Sequence, residues 1–283
     1  MDNIHKTAVD ESSIVTTGGY CRRCAREHRL GPGNTRQHCR DLMRRFDDLQ
    51  TIDLTFDPSA PQEKTLATLG TAPLFGPARG KMFGVLECLR PDGTAVILYA
   101  FSGQYHGSWL VEGWVPPLFD LDDFLSLTVE KERQIKKLGQ TIEQGVPHSG
   151  DWLAQRKKRR QLSQNLMREI HNLYTLSNYR GETAGLAAAF TGSKGIPTGT
   201  GDCCAPKLLN FAAKNNLRPL GIHEFFWGRE NRAGGHRHGA FTSSCAEKCQ
   251  PILGFMLCGL DERAETTQPL PKNNMAKEKT GTA

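Results

Sequence analysis

The sequence of 283 residues predicts an α+β fold, and three patterns in it support that prediction. Two apolar strands flank a turn at residues 90–93. Two long stretches between residues 122 and 179 repeat apolar side chains at helical spacing. Cysteines then flank a helix–strand–helix pattern between residues 203 and 257.

The N-terminal third divides into a Cys/His segment and a β-rich segment. Residues 14–50 are predicted to form a zinc-knuckle segment that runs into a helix at 35–49, whose apolar residues share one side. Residues 75–120 form the β-rich segment, with strands at 81–88 and 94–101. The turn between these strands is Arg-Pro-Asp-Gly, in which proline fixes φ and glycine accepts a positive φ.

The rest of the chain is predicted to hold two α-rich segments and a polar tail. Residues 121–180 form an antiparallel helical hairpin, with helices from Asp122 to Gln144 and from Asp151 to Tyr179. Residues 181–260 form a Cys-rich α/β domain. Its predicted elements are a helix at 205–215, a strand at 218–227 and a helix at 246–257. Residues 261–283 are polar, which favours a disordered tail.

The positive charge is concentrated in the helical hairpin. The chain carries a net charge of +6, yet residues 131–180 alone hold eleven Lys or Arg against four acidic residues. Such a local stripe favours an anionic partner, and we expect RNA phosphates there. The alternative is an ordinary solvated helix face. The candidate RNA-binding residues are Arg156, Lys157, Lys158, Arg159 and Arg160.

The sequence favours a cytoplasmic protein without a membrane partner. Its longest apolar run, about Ile252 to Leu260, is too short to span a bilayer, and residues 1–13 lack the features of a targeting signal. In a reducing compartment the nine cysteines are expected to bind metal or to be buried, and not to form disulfides.

The first cysteine cluster is predicted to bind a structural zinc ion. Cys21 and Cys24 form a Cys-x-x-Cys knuckle, and Cys39 can complete the site together with one of His28 or His38. The alternative is a pair of surface thiols beside unrelated histidines. A zinc ion here would hold together a segment that has little core of its own.

The second cluster places cysteines at the starts of two helices. Cys203 and Cys204 precede one helix, and Cys245 and Cys249 precede the next. Helix N-termini stabilise thiolates, so a second, shared metal site is one interpretation. Packing of small buried cysteines is another, and thiol chemistry with His223 or His238 is a third. Assuming parallel strands with right-handed crossovers, we expect both helices on one sheet face, with their thiols close together.

This helix–strand–helix order also resembles the core of zinc-dependent nucleobase deaminases. In that family a His or Cys is followed two residues later by a catalytic Glu, and a Pro-Cys-x-x-Cys motif follows. Here Pro206 occupies the position of that Glu when the motif begins at Cys204, and the second pair is Cys-x3-Cys. Glu224 on the intervening strand is the nearest substitute as the catalytic acid/base. The resemblance implies a metal-dependent enzyme that acts on a nucleobase or nucleotide.

A broader resemblance covers roughly residues 75–260. It rests on ordered motifs at Gly80–Leu86, Ala100–Gly103, Val115–Asp120, Gly201–Leu209, Glu224–Gly228, His238–Phe241 and Cys245–Leu253. Together these motifs resemble the N-terminal accessory region of long RluA-type (RluA family) pseudouridine synthases.

The resemblance implies a role in RNA modification without pseudouridine synthesis by this chain. In the family, a catalytic domain with a His-Arg-Leu-Asp motif follows this region. Here about 23 residues follow Leu260, and the one similar string, at residues 28–31, ends in glycine. We therefore expect a non-catalytic accessory protein that binds structured rRNA or tRNA and works with a separate pseudouridine synthase catalytic subunit. The metal-dependent, deaminase-like enzyme is the alternative.

Overall fold

The structure is a computed structural model that describes residues 16–59, 66–77, 79–230 and 234–265. It confirms a mixed α+β architecture with open sheets. The strands are β1 Thr17–Cys21, β2 Arg26–Leu30, β3 Lys81–Leu89, β4 Ala95–Phe101, β5 Thr175–Ser177, β6 Thr183–Gly185, β7 Arg218–Trp227 and β8 Phe241–Thr242. The helices are α1 Thr35–Leu49, α2 Leu66–Leu69, α3 Leu121–Gln144, α4 Gly150–Leu173, α5 Leu186–Ala189, α6 Cys204–Lys214, α7 Gln250–Met256 and α8 Leu260–Glu265, with a short 3-10 helix at Ala72–Phe75.

A four-stranded sheet in the order β4-β3-β7-β8 is the centre of the fold. Every neighbouring pair in it is antiparallel, so the expectation of parallel strands with right-handed crossovers is wrong. Strands β3 and β4 are joined by the predicted turn, in which Gly93 has a φ of 85°. Strand β7 arrives from more than a hundred residues later and pairs with the other edge of β3.

Helices cover both faces of this sheet because side chains alternate along each strand. Helix α1 packs Phe46 against Phe83 and Phe225 on one face. Helix α6 packs on the other face, where a Cβ at position 84 would lie 2.6 Å from the Cys204 Cβ. Only glycine at position 84 therefore lets the start of α6 approach β3 this closely.

The hairpin β1–β2 packs against α7 through two glycines. A Cβ on Gly19 would collide with the Gln250 carbonyl, and a Cβ on Gly254 would collide with the Tyr20 carbonyl. The absence of both side chains lets the backbones touch. This contact brings the N-terminal hairpin to the C-terminal part of the described chain.

Helices α3 and α4 form the antiparallel hairpin that the sequence predicts. The sequence pattern favours Asp122 as the cap of α3, but Asp120 caps it by accepting hydrogen bonds from the Asp122 and Asp123 amides. Lys131 of α3 forms an ion pair with Glu169 of α4.

Two predicted helix bounds in the C-terminal half of the chain are wrong, namely the end of α4 and the start of α7. Helix α4 ends at Leu173, not near Tyr179, because residues 175–177 pair with β6 and the Ser177 amide donates to the Asn210 side chain at 2.8 Å. Helix α7 begins at Gln250, not Ala246, because residues 245–249 form a turn. Helix α8 occupies the start of the predicted tail, whose remaining residues 266–283 lie outside the described part of the chain.

Candidate metal centre and cysteine cluster

Four side chains at the junction of the β1–β2 hairpin and α7 could hold a metal ion. Cys21 ends β1, Cys24 lies in the turn, His28 lies on β2 and Cys258 follows α7. One ligand atom from each lies within 4.8 Å of all the others. The Sγ atoms of Cys24 and Cys258 are 3.5 Å apart.

The chemistry of this group fits a divalent cation with soft ligands. Three thiols and one imidazole are the donor set of many tetrahedral zinc sites. The Nε2 atom of His28 is buried and has no hydrogen-bond partner among the described residues, as expected of an atom that faces a cation. Burial lowers the pKa of His28, and nearby Arg26 lowers it further, which keeps the ring neutral and able to bind metal.

The surroundings of two of these thiols act in opposite directions: they favour a thiolate at Cys24 and oppose one at Cys258. Burial tends to raise the pKa of Cys24, but hydrogen bonds with Cys258, Cys21 and Arg180 outweigh it and lower that pKa. Burial raises the pKa of Cys258 to about 11, although Arg180 opposes the rise. On the far side of the imidazole, Asp261 lies 3.7 Å from the Nδ1 atom of His28, where a carboxylate would orient a ligand ring.

Cys39, the predicted partner of the Cys21 knuckle, lies elsewhere in the fold. It is fully buried on α1, with its Sγ atom 4.0 Å from the His223 carbonyl oxygen. Cys258 occupies the position in the group that we assigned to Cys39. No local motif marks Cys258, because it joins the group through the packing of α7 on β1.

Three cysteines of the second predicted cluster are neighbours at the starts of α6 and α7, but their sulfurs do not lie in the predicted metal-binding arrangement. Cys203 precedes α6, Cys249 precedes α7, and the Cys249 thiol forms hydrogen bonds with both Cys203 and Cys245. Among the described residues, however, only the Cys21 group brings three or more ligand atoms within 4.8 Å. Cys204 is turned away and donates to the Met82 carbonyl at 3.4 Å, which is a packing role against β3.

The thiols of this cysteine cluster, Cys203, Cys245 and Cys249, differ in their environment. Cys245 is exposed, whereas Cys249 is buried. The hydrogen bond with Cys249 lowers the pKa of Cys245 to about 5, and the amides of residues 247–249 assist although burial opposes the shift. Hydrogen bonds of the Cys249 thiol with Cys203 and Cys245, together with burial, raise the pKa of Cys249 well above the ordinary range.

Glu224 lies beside this cluster, at the N-terminus of α6. Its side chain is 5% exposed, and its Oε1 atom accepts a hydrogen bond of 2.9 Å from the Ala205 amide. Burial raises the pKa of this carboxyl to about 7, although the bond from Ala205 opposes the shift. A carboxyl with this pKa can accept or donate a proton near neutral pH.

Several polar residues near the cluster were not found by sequence reasoning. Asp202 is half-buried and accepts a 2.5 Å hydrogen bond from the Tyr174 hydroxyl. His171 has a buried Nε2 atom without a hydrogen-bond partner in the described part of the chain. Lys207 is buried on α6 and donates to the carbonyls of Phe101 and Gly103. The only signal in the sequence was the proximity of Asp202 and Lys207 to the cysteine pair.

The five predicted RNA-binding cations are exposed on α4. They run consecutively from Arg156 to Arg160, and the ion pairs of the described residues include none of them. The Arg156 guanidinium lies 4.5 Å from the centre of the Trp152 ring. This part of α4 therefore presents uncompensated positive charge to solvent.

Comparisons with known proteins add no family to this description. No family model, curated protein or solved structure matches the chain. Across the described ranges of the chain, every helix is too short or too polar to cross a bilayer.

Proposed function

We propose that the chain is an RNA-binding accessory protein of RNA modification that works with a separate pseudouridine synthase catalytic subunit. The proposal rests mainly on one observation: five consecutive cations on α4 are exposed and have no acidic partner among the described ion pairs. The ordered motifs that resemble RluA-type accessory regions add the setting of RNA modification. Structured rRNA or tRNA is the expected target.

Phosphate contacts at this basic face would make RNA affinity depend strongly on salt. Each cation that neutralises a phosphate releases a condensed counterion, so the logarithm of affinity falls linearly with the logarithm of salt concentration. The contacts would be with the backbone and would therefore weaken equally for all sequences when the cations are removed.

The experiment compares two variants that lose the same charge. Arg156, Arg159 and Arg160 are changed to Gln in one, and Arg44, Arg90 and Lys214, which are exposed on other elements, are changed to Gln in the control. We expect the first variant to bind a structured RNA more weakly at low salt and to reduce the salt slope by about 2–3, at roughly 0.7–0.9 for each of the three contacts. Equal affinities of the two variants would contradict RNA binding at α4.

We further propose that the group of Cys21, Cys24, His28 and Cys258 holds a structural zinc ion. The donor set, the buried and unpartnered Nε2 atom of His28 and the neighbouring Asp261 support zinc over harder cations. Such a site needs reduced thiols, which is consistent with a cytoplasmic protein.

A second candidate function is a metal-dependent, deaminase-like enzyme at the cysteine cluster. It is favoured by the position of Glu224 beside thiols at two helix starts, with its pKa near neutral. The sulfurs of Cys203, Cys245 and Cys249 would have to move closer together than they lie here in order to hold zinc, which would activate water when bound. Glu224 would carry a proton from that water to the leaving amine, so that the base gains a carbonyl oxygen and ammonia is released.

An ammonia-release assay separates this candidate from the accessory role. Zinc-loaded protein is incubated with cytosine and adenine nucleosides and with RNA, and Glu224→Gln is the matched variant. Ammonia release by the parent and not by the variant would support the enzyme. RNA binding without ammonia release would support the accessory role alone.

A further inference from the structure

A groove of about 510 Å³ lies between α3 and α4, near the tip of the helical hairpin. Its lining combines apolar and cationic side chains, and no acidic side chain of the described residues contributes to it. The lining residues are Ile142, Leu153, Arg156, Lys157, Arg159, Arg160 and Ser163.

Helical spacing explains why apolar and cationic side chains line the same groove. Leu153, Arg156 and Arg160 follow one another at intervals of three and four residues, so they share one face of α4. Ile142 approaches from α3. At position 139 of α3 a Cβ would lie 3.6 Å from the Arg159 Nε atom, an ordinary contact distance, so Arg159 extends across α3 beside Gly139.

Trp152 fixes the geometry of this tip. Its Nε1 atom donates a 3.2 Å hydrogen bond to the Ile142 carbonyl, which joins the two helices. The same indole ring carries the Arg156 guanidinium on its face. These contacts hold the Ile142 backbone against α4 and the Arg156 guanidinium against the indole ring before any ligand binds.

We propose that this groove binds an unpaired nucleotide of single-stranded RNA, with the base against Ile142 and Leu153 and the phosphates at the bordering cations. This inference rests on the proposed RNA binding and specifies the form of RNA that binds. The volume lies within the roughly 300–1,000 Å³ of typical small-molecule pockets, which leaves room for one nucleotide.

The apolar side chains of the groove, Ile142 and Leu153, allow it to distinguish a single strand from a duplex. In a paired A-form helix the faces of the bases are covered by stacking, so a duplex offers phosphates and sugar hydroxyls but no apolar face. A single strand offers both phosphates and exposed base faces, which is the combination that single-strand binding surfaces use. Leu153 is 52% exposed and is therefore accessible to an unpaired base.

The test measures fluorescence anisotropy with the full chain and three probes: a short uridine-rich single strand, a duplex of equal length and polyglutamate. Leu153→Asn is compared with Leu125→Asn, a control on the same hairpin where the leucine is 43% exposed and lies outside the groove. We expect a preference of about tenfold for the single strand. Leu153→Asn should weaken single-strand binding about three- to tenfold without changing the salt slope, and Leu125→Asn should leave it unchanged.

The outcomes separate this inference from the proposed function. Equal or tighter binding of the duplex, or equal effects of the two leucine variants, would overturn the single-strand inference and leave RNA binding intact. Absence of binding to either RNA would overturn the proposed function itself. Binding of polyglutamate more tightly than of either RNA would assign the groove to an acidic protein segment and overturn both.

Discussion

The Sγ atoms of Cys24 and Cys258 lie 3.5 Å apart, although 234 positions separate the two residues in the chain. A cation held by both would join the N-terminal hairpin to the segment after α7. The packing of β1 on α7 already brings these parts together through Gly19 and Gly254. Metal binding would therefore stabilise a contact between sequence-distant parts of the fold.

Substitution of Cys258 should remove the metal, whereas substitution of Cys39 should not. We expect Cys258→Ser to lose one equivalent of zinc in elemental analysis and to lower the free energy of unfolding by about 3–4 kcal/mol, the linkage expected when free zinc exceeds its dissociation constant a hundred- to thousandfold. Cys39→Ala is the control, because Cys39 is buried against His223 and away from the group. Full zinc content in Cys258→Ser would show that Cys258 is not a ligand.

Lys207 should be needed for stability although it is charged. Its Nζ atom donates to the Phe101 carbonyl at 3.0 Å and to the Gly103 carbonyl at 2.9 Å, and its side chain is 1% exposed. Lys207→Met would leave both carbonyls without this donor, and we expect a loss of about 1–3 kcal/mol in chemical denaturation.

Lys214→Met is the matched control for this prediction. Lys214 lies on the same helix and is exposed, so the change should stay within about 0.5 kcal/mol. If the two variants have the same stability, the hydrogen bonds of Lys207 do not contribute to the fold.

The elements defined by short-range patterns could be predicted from the sequence. Helix α1 spans the predicted residues 35–49, and β7 spans the predicted 218–227. Helix α1 repeats apolar side chains at helical spacing, and β7 is a short, largely apolar run bounded by polar or turn residues. The turn before β4 could be predicted in the same way, because proline fixes its own φ and glycine adopts the positive φ, 85° at Gly93, that the turn needs.

The features that depend on tertiary contacts could not be predicted. Leu176 fits the helical spacing of α4, yet the Tyr174–Asp202 hydrogen bond and the pairing of β5 with β6 end the helix before it. The sheet is antiparallel because β7 pairs with β3 from a distant position, which no local pattern encodes. Cys258 joins the metal group for the same reason.

Glu224 should make the protein less stable as pH rises towards neutrality. Its pKa is about 7 in the fold against 4.5 for an ordinary Glu, so between these values the folded state holds a proton that the unfolded state has lost. The contribution of Glu224 to the free energy of unfolding is fully present below pH 4.5 and is lost as pH rises through 7. The free energy of unfolding falls by about 3 kcal/mol at most over this range.

Glu224→Gln removes this titration while keeping a side-chain oxygen for the Ala205 amide. Urea denaturation at several pH values between 4.5 and 8 should show a flatter stability profile for Glu224→Gln than for the parent. The exposed Glu143→Gln serves as a control and should follow the parent. Parallel profiles for Glu224→Gln and the parent would mean that the carboxyl titrates normally.

Cys245 should be the thiol that reacts at the lowest pH. It is exposed, and its sulfur accepts hydrogen bonds from Cys249 and from backbone amides, including that of Lys248 at 3.3 Å. These bonds lower its pKa to about 5, so the thiolate is already formed at pH 6.

With a chelator present, the rate of alkylation of Cys245 by iodoacetamide should be nearly constant from pH 6 to 8. The same cysteine in guanidine-unfolded protein should react about tenfold faster per pH unit up to its ordinary pKa of about 8.5. Cys249→Ala removes only the thiol partner and should move the midpoint upward without restoring the unfolded profile, because the backbone amides remain. A folded-state rate that rises tenfold per pH unit through pH 8 would show that the turn at residues 245–249 does not stabilise a thiolate.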